Sequence, residues 1–320
     1  MELRGDEKNK LKSFIVLKTI KMTNITSLAW DVGAHTEFGG SVYNSLKISI
    51  DNGMYATQFF LGSPYSLVRN KPTTLDIENS KKLLSRFPLH VFSHFPYLSN
   101  LAGSIKSLAW NGDQTQDEKT TRLIESIEQE LLVLSNFTTE NKNSGVVIHP
   151  GSFPNNEKGL HAVSKSINKI NFPPNSKLIL ENCAGEGTKL AKNFTELKTI
   201  IDGVEESKRK HLGVCIDTAH IWGAGEYDLS HSHEVKRMFH EFDTLLGRDR
   251  LTLIHLNDSE IKFGGKRDKH ECIGEGYIWK ESTESLLFLL DVCRNRNTPL
   301  ILETEMSDLV TMANLSVSRN

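Results

Sequence analysis

The sequence predicts an α/β fold, an eight-stranded β/α (TIM) barrel in which a closed parallel sheet is surrounded by helices. Eight short apolar runs rich in β-branched residues alternate with segments of helical pattern along the chain. Nearly continuous apolar runs are typical of strands that are buried on both faces. The 320 residues accommodate a barrel of about 250 residues with extensions. A doubly wound open sheet is the competing fold, but eight evenly spaced units favour closure.

The predicted elements follow one another in order. The eight strands are expected at residues 27–35, 55–62, 90–95, 145–151, 177–183, 211–217, 251–258 and 299–304. Helical spacing of apolar residues predicts helices at residues 117–137, 193–205, 233–247 and 281–296. The second of these opens with Asn193 and, three positions later, Glu196, which is a capping-box pattern. The barrel is expected to span residues 27–310, between a flexible N-terminal extension at 1–26 and a C-terminal tail at 311–320.

The composition excludes several classes of protein. The chain is 38% hydrophobic and 24% charged, with four cysteines that form no CxxC pair, which argues against a disulfide scaffold or a cysteine-rich zinc module. No apolar run approaches the roughly 18 residues of a membrane span, and no signal-peptide core is present. An intracellular protein, cytoplasmic or nuclear and not secreted, is therefore expected. A net charge of -2 excludes a uniformly basic nucleic-acid coat but permits a local basic patch.

Residues that could bind a metal lie late in all but the second of the predicted strands. Those residues are His35, His94, His149, Glu181, Asp217, His255 and Glu303. Two loops add His220, Asp268 and His270. Since the chemistry of a β/α barrel takes place at the C-terminal ends of its strands, these side chains are expected to converge on one mouth.

Such a convergence points to metal ions. A single histidine at a strand end is commonly structural, but so many unpaired carboxylates and imidazoles would be costly to bury together. Imidazole and carboxylate ligands without a required cysteine suit zinc, or manganese or iron in its place. The set exceeds what one tetrahedral ion needs, so two or three metal ions are expected.

Seven segments of the chain resemble the endonuclease IV family, the apurinic/apyrimidinic endonucleases of DNA base-excision repair. They are GAHTEFGG (33–40), HFPYLSNL (94–101), HPGS (149–152), LENCAGEGTKL (180–190), GVCIDTAHIWGAGEYDL (213–229), HLNDSEIKFGGKRDKHECIGEG (255–276) and LILET (300–304). The resemblance covers nearly the whole barrel in order, and the GVCIDTAH and HLNDSE–GEG segments are specific to the family.

The resemblance implies three zinc ions with nine ligands. His94, His149 and Glu181 match the ligands of a first zinc. Glu181 would bridge to a second zinc, whose other ligands would be Asp217, His255 and Glu303. The third set would be His220, Asp268 and His270. In the family, a hydroxide held between the first two ions attacks the phosphorus 5′ to the abasic sugar, and Glu181 would orient it. The products would be a 3′-hydroxyl and a 5′-deoxyribose phosphate, and 3′ end-cleaning activity is also expected.

The resemblance also suggests DNA contacts, with double-stranded DNA containing abasic sites as the partner. Tyr97 and Leu98 match a tyrosine–leucine pair that the family inserts into the duplex. Tyr65 stands where the family usually has an arginine that probes the DNA, and an aromatic ring could replace it by stacking. Lys266 and Arg267 could contact phosphates. The protein is expected to be a monomer that does not bind membranes.

Two alternatives of other classes stay open. The first is a metal-dependent sugar isomerase or epimerase, whose barrels use mainly carboxylates with one or two metals. The loop ligands Asp268 and His270, together with His220, argue against it. The second is a DNA-damage binder without catalytic activity, against which the intact set of nine ligands argues. Cys183 is interpreted as a packing residue, and His35 as a residue that supports the ligands or the substrate.

Overall fold

The computed structural model describes residues 30–103, 116–139 and 142–317, so the predicted extension at 1–26 lies outside the described residues. Ten strands occur within these segments: β1 (Val32–His35), β2 (Ala56–Phe59), β3 (His90–His94), β4 (Ser144–Ile148), β5 (Leu178–Glu181), β6 (Leu212–Asp217), β7 (Leu251–His255), β8 (Asp258–Ser259), β9 (His270–Glu271) and β10 (Leu300–Leu302). All except β8 and β9 pair in parallel into a closed barrel, in the order β1-β10-β7-β6-β5-β4-β3-β2. The predicted TIM barrel is confirmed.

The described residues form helices that alternate with the barrel strands. They are α1 (Val42–Asp51), α2 (Thr74–Arg86), α3 (Gln116–Leu134), α4 (Asn156–Ile167), α5 (Phe194–Asp202), α6 (Glu206–Arg209), α7 (Thr218–Ala224), α8 (Ser232–Leu246), α9 (Thr283–Arg296) and α10 (Ser307–Val317). The four helices expected from the sequence are α3, α5, α8 and α9. The Asn193 side chain caps α5 by accepting the Glu196 amide at 3.0 Å, as predicted. The Glu196 carboxylate, however, accepts the amides of Ala191 and Lys192 rather than that of Asn193.

An apolar layer closes the interior of the barrel below its C-terminal end. This inner layer consists of Ala56, Phe92, Val147, Ile179, Cys215, Leu253 and Ile301. A larger hydrophobic cluster fills the space between the sheet and the helices. The polar side chains at the C-terminal ends of the strands therefore lie directly on this apolar layer. Solvent and ligands can reach them only from the side opposite to it.

The last helix covers the barrel near β1. Helix α10 extends beyond residue 310, the predicted end of the barrel. Its Leu309 and Met312 side chains are buried in the main hydrophobic cluster. Residues 311–317, which fall in the predicted tail, are thus part of this helix. Among the described residues, every helix is too short or too polar to cross a membrane.

Candidate metal centre

The predicted ligands meet at the C-terminal mouth of the barrel. His94, Glu181, Asp217 and His255 are the last residues of β3, β5, β6 and β7. His149 and Glu303 follow β4 and β10 directly, and the remaining ligands come from α7 and from the segment that leads into β9. The side chains form three overlapping groups that could each hold a metal ion: His94, His149 and Glu181; Glu181, Asp217, His255 and Glu303; and Asp217, His220 and His270.

Glu181 joins the first group to the second. Its Oε2 lies 3.2 Å from His94 Nε2 and 3.5 Å from His149 Nε2. Its other oxygen, Oε1, lies 3.1 Å from His255 Nδ1. The carboxylate therefore presents one oxygen to each group, which is the arrangement that a bridging ligand requires.

The second group surrounds one imidazole nitrogen with carboxylates. His255 Nδ1 lies 3.3 Å from Glu303 Oε2 and 4.0 Å from Asp217 Oδ2, in addition to its contact with Glu181. His255 and Asp217 are completely buried, and Glu303 is the one partly exposed member of this group. A divalent cation at this point would be shielded from water on most sides.

The third group lies towards the rim, and Asp268 lies beside its two imidazoles. The Oδ1 atom of Asp268 is 3.1 Å from His220 Nε2 and 3.2 Å from His270 Nε2. His270 Nε2 also lies 3.5 Å from Asp217 Oδ2, so Asp217 contributes to both the second and the third group. The short antiparallel pairing of β8 with β9, in which Ser259 is opposite His270, holds this segment over the mouth.

Hydrogen bonds to backbone carbonyls fix the orientation of two imidazoles. His94 Nδ1 donates to the Phe95 carbonyl at 2.8 Å, and His220 Nδ1 donates to the Asn182 carbonyl at 2.9 Å. Metal-binding histidines usually donate their second ring nitrogen in this way, which selects the tautomer and aims the first nitrogen at the ion. The Nε2 atoms of His94 and His220 thus face the centre of the site.

The donor set fits divalent cations. Within the described part of the chain, the buried Nε2 atoms of His220 and His270 make no well-aligned hydrogen bond, although Asp268 Oδ1 lies 3.1 Å and 3.2 Å from them. Burial lowers the pKa of His149 to about 4, which keeps its ring neutral and able to donate a lone pair. Burial alone would lower the pKa of His220. The nearby carboxylates of Asp217 and Asp268 outweigh this effect and raise the pKa of His220 to about 10. The carboxylates therefore favour a positive charge beside them, which either a protonated imidazole or a bound cation can supply.

Three amide side chains that sequence reasoning missed complete the site. Gln58, the third residue of β2, is fully buried, and its Nε2 donates to Glu303 Oε1 at 2.9 Å. Its Oε1 accepts a hydrogen bond from His255 Nε2 at 2.9 Å. Asn257 donates to Asp217 Oδ2 at 2.8 Å and to Glu303 Oε2 at 3.1 Å, and Asn182 accepts the Asp217 amide at 2.7 Å. The second strand, which carries no residue of metal-ligand type, thus still contributes a buried amide that bonds two of the candidate ligands.

Replacing Gln58 with leucine is expected to weaken metal binding in the second group by about 10–100-fold, because His255 and Glu303 each lose the partner that orients them. Competition with a coloured chelator measures the affinity. Asn136→Leu is the matched control, since among the described residues the Asn136 side chain bonds Lys81 and the last turn of α3, far from the metal groups. Equal metal affinity in the two variants would show that Gln58 does not support the ligands.

His35 and Cys183 lie beside the ligands rather than among them. His35 Nδ1 is 3.2 Å from Gln58 Nε2, and burial lowers the pKa of His35 to about 4. Cys183 Sγ lies 3.6 Å from His149 Nδ1. Burial raises the pKa of the Cys183 thiol, which disfavours the thiolate that metals bind.

Aromatic side chains line one edge of the mouth. Tyr65 and Tyr97 are 71% and 54% exposed, and their ring centroids are 6.2 Å apart. Phe60 lies between this pair and the metal groups, with its centroid 5.3 Å from that of Tyr97 and 5.4 Å from that of His94. Leu98 is half-buried next to Tyr97. The structure therefore brings together the three residues predicted to touch DNA bases.

Basic residues line the edge of the mouth that carries the third group. Lys266 and Arg267 are exposed and directly precede Asp268. Lys266, together with Lys189 and Lys192, lines a cleft of about 300 Å³ that also contains the carboxylate of Glu226. The structure thus presents aromatic rings and basic side chains on two edges of the same opening.

Comparisons with known proteins support the fold and identify the family. The family model for xylose isomerase-like TIM barrels matches residues 47–316. A protein named "Probable endonuclease 4" from Natranaerobius thermophilus is 34% identical over 266 residues, which cover 80% of this chain and 86% of that protein.

Two solved structures share the fold. Endonuclease IV from Thermus thermophilus superposes with a TM-score of 0.72 at 24% identity and covers 91% of this chain and 100% of its own. A D-tagatose 3-epimerase-like protein gives a TM-score of 0.61 at 16% identity, over 89% of this chain and 96% of its own. The sequence relationship confirms the predicted nuclease class, and the chain belongs to the endonuclease IV family.

Proposed function

We propose that this protein is an apurinic/apyrimidinic endonuclease of DNA repair, which hydrolyses the phosphodiester 5′ to an abasic site with three zinc ions. Manganese or iron could take the place of zinc at some positions. The observation that supports this function best is the set of three overlapping ligand groups at one barrel mouth, joined by Glu181 and Asp217. Removal of a damaged 3′ end is the same hydrolysis on a related phosphodiester, so we propose it as a second activity.

The reaction adds water to phosphorus and breaks the bond to the 3′ oxygen. The products are a 3′-hydroxyl and a 5′-deoxyribose phosphate. Bound zinc ions would supply Lewis acidity and make water acidic enough to be a nucleophile near neutral pH. His94, His149 and Glu181 would hold the first ion.

The other two groups divide the remaining ligands. The second ion would share Glu181 and take Asp217, His255 and Glu303. The third would take His220, Asp268 and His270. Negative charge from the carboxylates would offset the charge of bound ions, and the apolar layer at the base of the site would exclude water from below.

Residues at the rim would select the damaged nucleotide. An abasic nucleotide leaves the duplex easily, since no base has to be unstacked. Tyr97 and Leu98 would enter the gap that it leaves, and Tyr65 would stack on a neighbouring base. Lys266 and Arg267 would contact phosphates, as their exposed position beside the third group allows.

A duplex with one tetrahydrofuran abasic analogue tests the proposal. This analogue cannot undergo β-elimination, so any cleavage is hydrolytic. We expect strand scission that leaves a 3′-hydroxyl, that is lost on chelation and that returns with zinc, with three metal ions counted per chain. Binding of abasic DNA without scission in the presence of zinc would instead indicate a damage binder. One metal per chain and no scission would favour a sugar isomerase.

A further inference from the structure

A buried ion pair lies behind the loop that carries Tyr65, outside the metal centre. The side chains of Arg69 and of Glu130, which belongs to α3, are both completely buried, and their nearest nitrogen and oxygen atoms are 3.8 Å apart. This separation is too long for a hydrogen bond. In the described residues, Nε and Nη1 of Arg69 have no hydrogen-bond partner either.

Such a pair does little for the stability of a barrel. Burial removes both charges from water, and well-packed apolar replacements of buried ion pairs are often equally or more stable. Burial raises the pKa of Glu130 to about 7, although Arg69 acts in the opposite direction. The role of the pair therefore lies in the backbone groups that the Arg69 guanidinium binds.

The guanidinium of Arg69 braces the loop 62–70 from inside. Its Nη2 donates to the carbonyls of Ser63, at 2.8 Å, and Ser66, and these two residues flank the segment that contains Tyr65. A Cβ atom on Gly62 would lie 3.5 Å from the Arg69 Cζ and 3.0 Å from the Val68 carbonyl, at a φ of +131°. A glycine at this position lets the loop fold closely around the guanidinium.

The same loop is tied to Tyr97 and to α3. The Tyr97 amide donates to the Pro64 carbonyl at 3.2 Å. From α3, Ser126 donates to the Leu67 carbonyl at 2.8 Å, and Gln129 donates to the Arg69 carbonyl at 3.1 Å. The shape of the loop therefore sets the 6.2 Å spacing of the two exposed tyrosine rings.

We propose that Arg69 and Glu130 are positioning residues that hold the loop 62–70 in the shape that presents Tyr65 beside Tyr97 as a stacking surface for DNA bases. Neither residue touches the substrate. The inference rests on the proposed function for the identity of the ligand, whereas the bracing of the loop is a property of the free protein.

The test compares the double variant Arg69→Met/Glu130→Leu, which replaces the pair by apolar side chains, with the native protein. Amide hydrogen exchange of residues 62–70 is measured without DNA, and KM and kcat are measured on the abasic duplex. We expect exchange in this loop to be at least about tenfold faster. We expect KM to rise about tenfold, the scale of one lost base stack, while kcat changes by less than about twofold. The single variant Glu130→Gln keeps the side-chain volume and removes the charge. If the double variant does not fold, the amide exchange of residues 62–70 in Glu130→Gln decides whether the pair braces the loop.

Arg296→Met is the matched control. Arg296 pairs with Asp243 and lines a cavity with Leu251, the first residue of β7, at the opposite end of the barrel. This control should leave the exchange of residues 62–70 and KM unchanged. Tyr65→Ala should raise KM as much as the double variant does, and combining the two changes should add little.

Two results would overturn the inference: loop exchange in both Glu130 variants equal to that of Arg296→Met, or effects of Tyr65→Ala that are fully additive. Failure of the native protein to cleave abasic DNA would count against the proposed function. The exchange comparison in the free protein would still decide whether the pair braces the loop.

Discussion

Replacement of Glu181 by glutamine is expected to lower the rate of abasic-site cleavage by about 10⁴-fold or more while the barrel stays folded. The two oxygens of this carboxylate face different ligand groups, with Oε2 near His94 and His149 and Oε1 near His255. Glutamine keeps the shape of the side chain but removes the negative charge between two cation positions. Single-turnover rates on the tetrahydrofuran duplex measure the effect.

The fold of this variant should be unaffected. Strand β5 is held by its backbone pairing with β6, in which Glu181 is opposite Cys215. Circular dichroism and the unfolding temperature check that the barrel is intact. Glu260→Gln is the control for the same chemical change, because Glu260 is on the surface and pairs with Lys269 at 3.1 Å. Near-normal cleavage by Glu181→Gln would contradict the assignment of the metal groups.

Replacement of Asp268 by asparagine is expected to lower cleavage by about 10²–10³-fold. The carboxylate of Asp268 is the contact that His220 Nε2 and His270 Nε2 share. Removal of its charge should lower the metal affinity of the third group alone, since the second group keeps the carboxylates of Glu181 and Glu303. The metal content per purified chain should therefore fall from three ions to two.

The control for this variant is His233→Ala, which removes an imidazole whose side chain is 77% exposed. It should retain three metal ions and the native rate. If Asp268→Asn keeps all three ions and cleaves normally, the third group is not a catalytic metal site. Two ions with an unchanged rate would separate metal binding at this group from catalysis.

The sequence predicts the barrel well because each strand is marked by its own apolar run. All eight predicted strands occur, since a strand buried on both faces needs a continuous apolar run such as LTLIH at 251–255. The other six described helices, α1, α2, α4, α6, α7 and α10, were not predicted. Helix α4 contains a glycine at position 159, and it is stabilised by its Asn155 cap and by contact with α5. Such tertiary support is not visible in a local pattern.

The candidate ligands could be predicted from the sequence, whereas the residues that orient them could not. His94 or Glu181 at a strand end is a recognisable metal-binding type, and the barrel rule places all such ends together. Gln58 is an amide inside an apolar run, and its role depends on Glu303, 245 positions later in the chain. The contacts of Asn182 and Asn257 likewise depend on the register between strands and loops, which residue type alone does not determine.

The order in which the ligands occur along the chain has a consequence for biosynthesis. The first group is complete once synthesis reaches Glu181, but the second lacks a ligand until Glu303, which follows the strand that pairs with β1 and closes the barrel. A nascent chain therefore cannot form the second group before the last barrel strand has left the ribosome. A cation bound at that group would then report that the last barrel strand is in place.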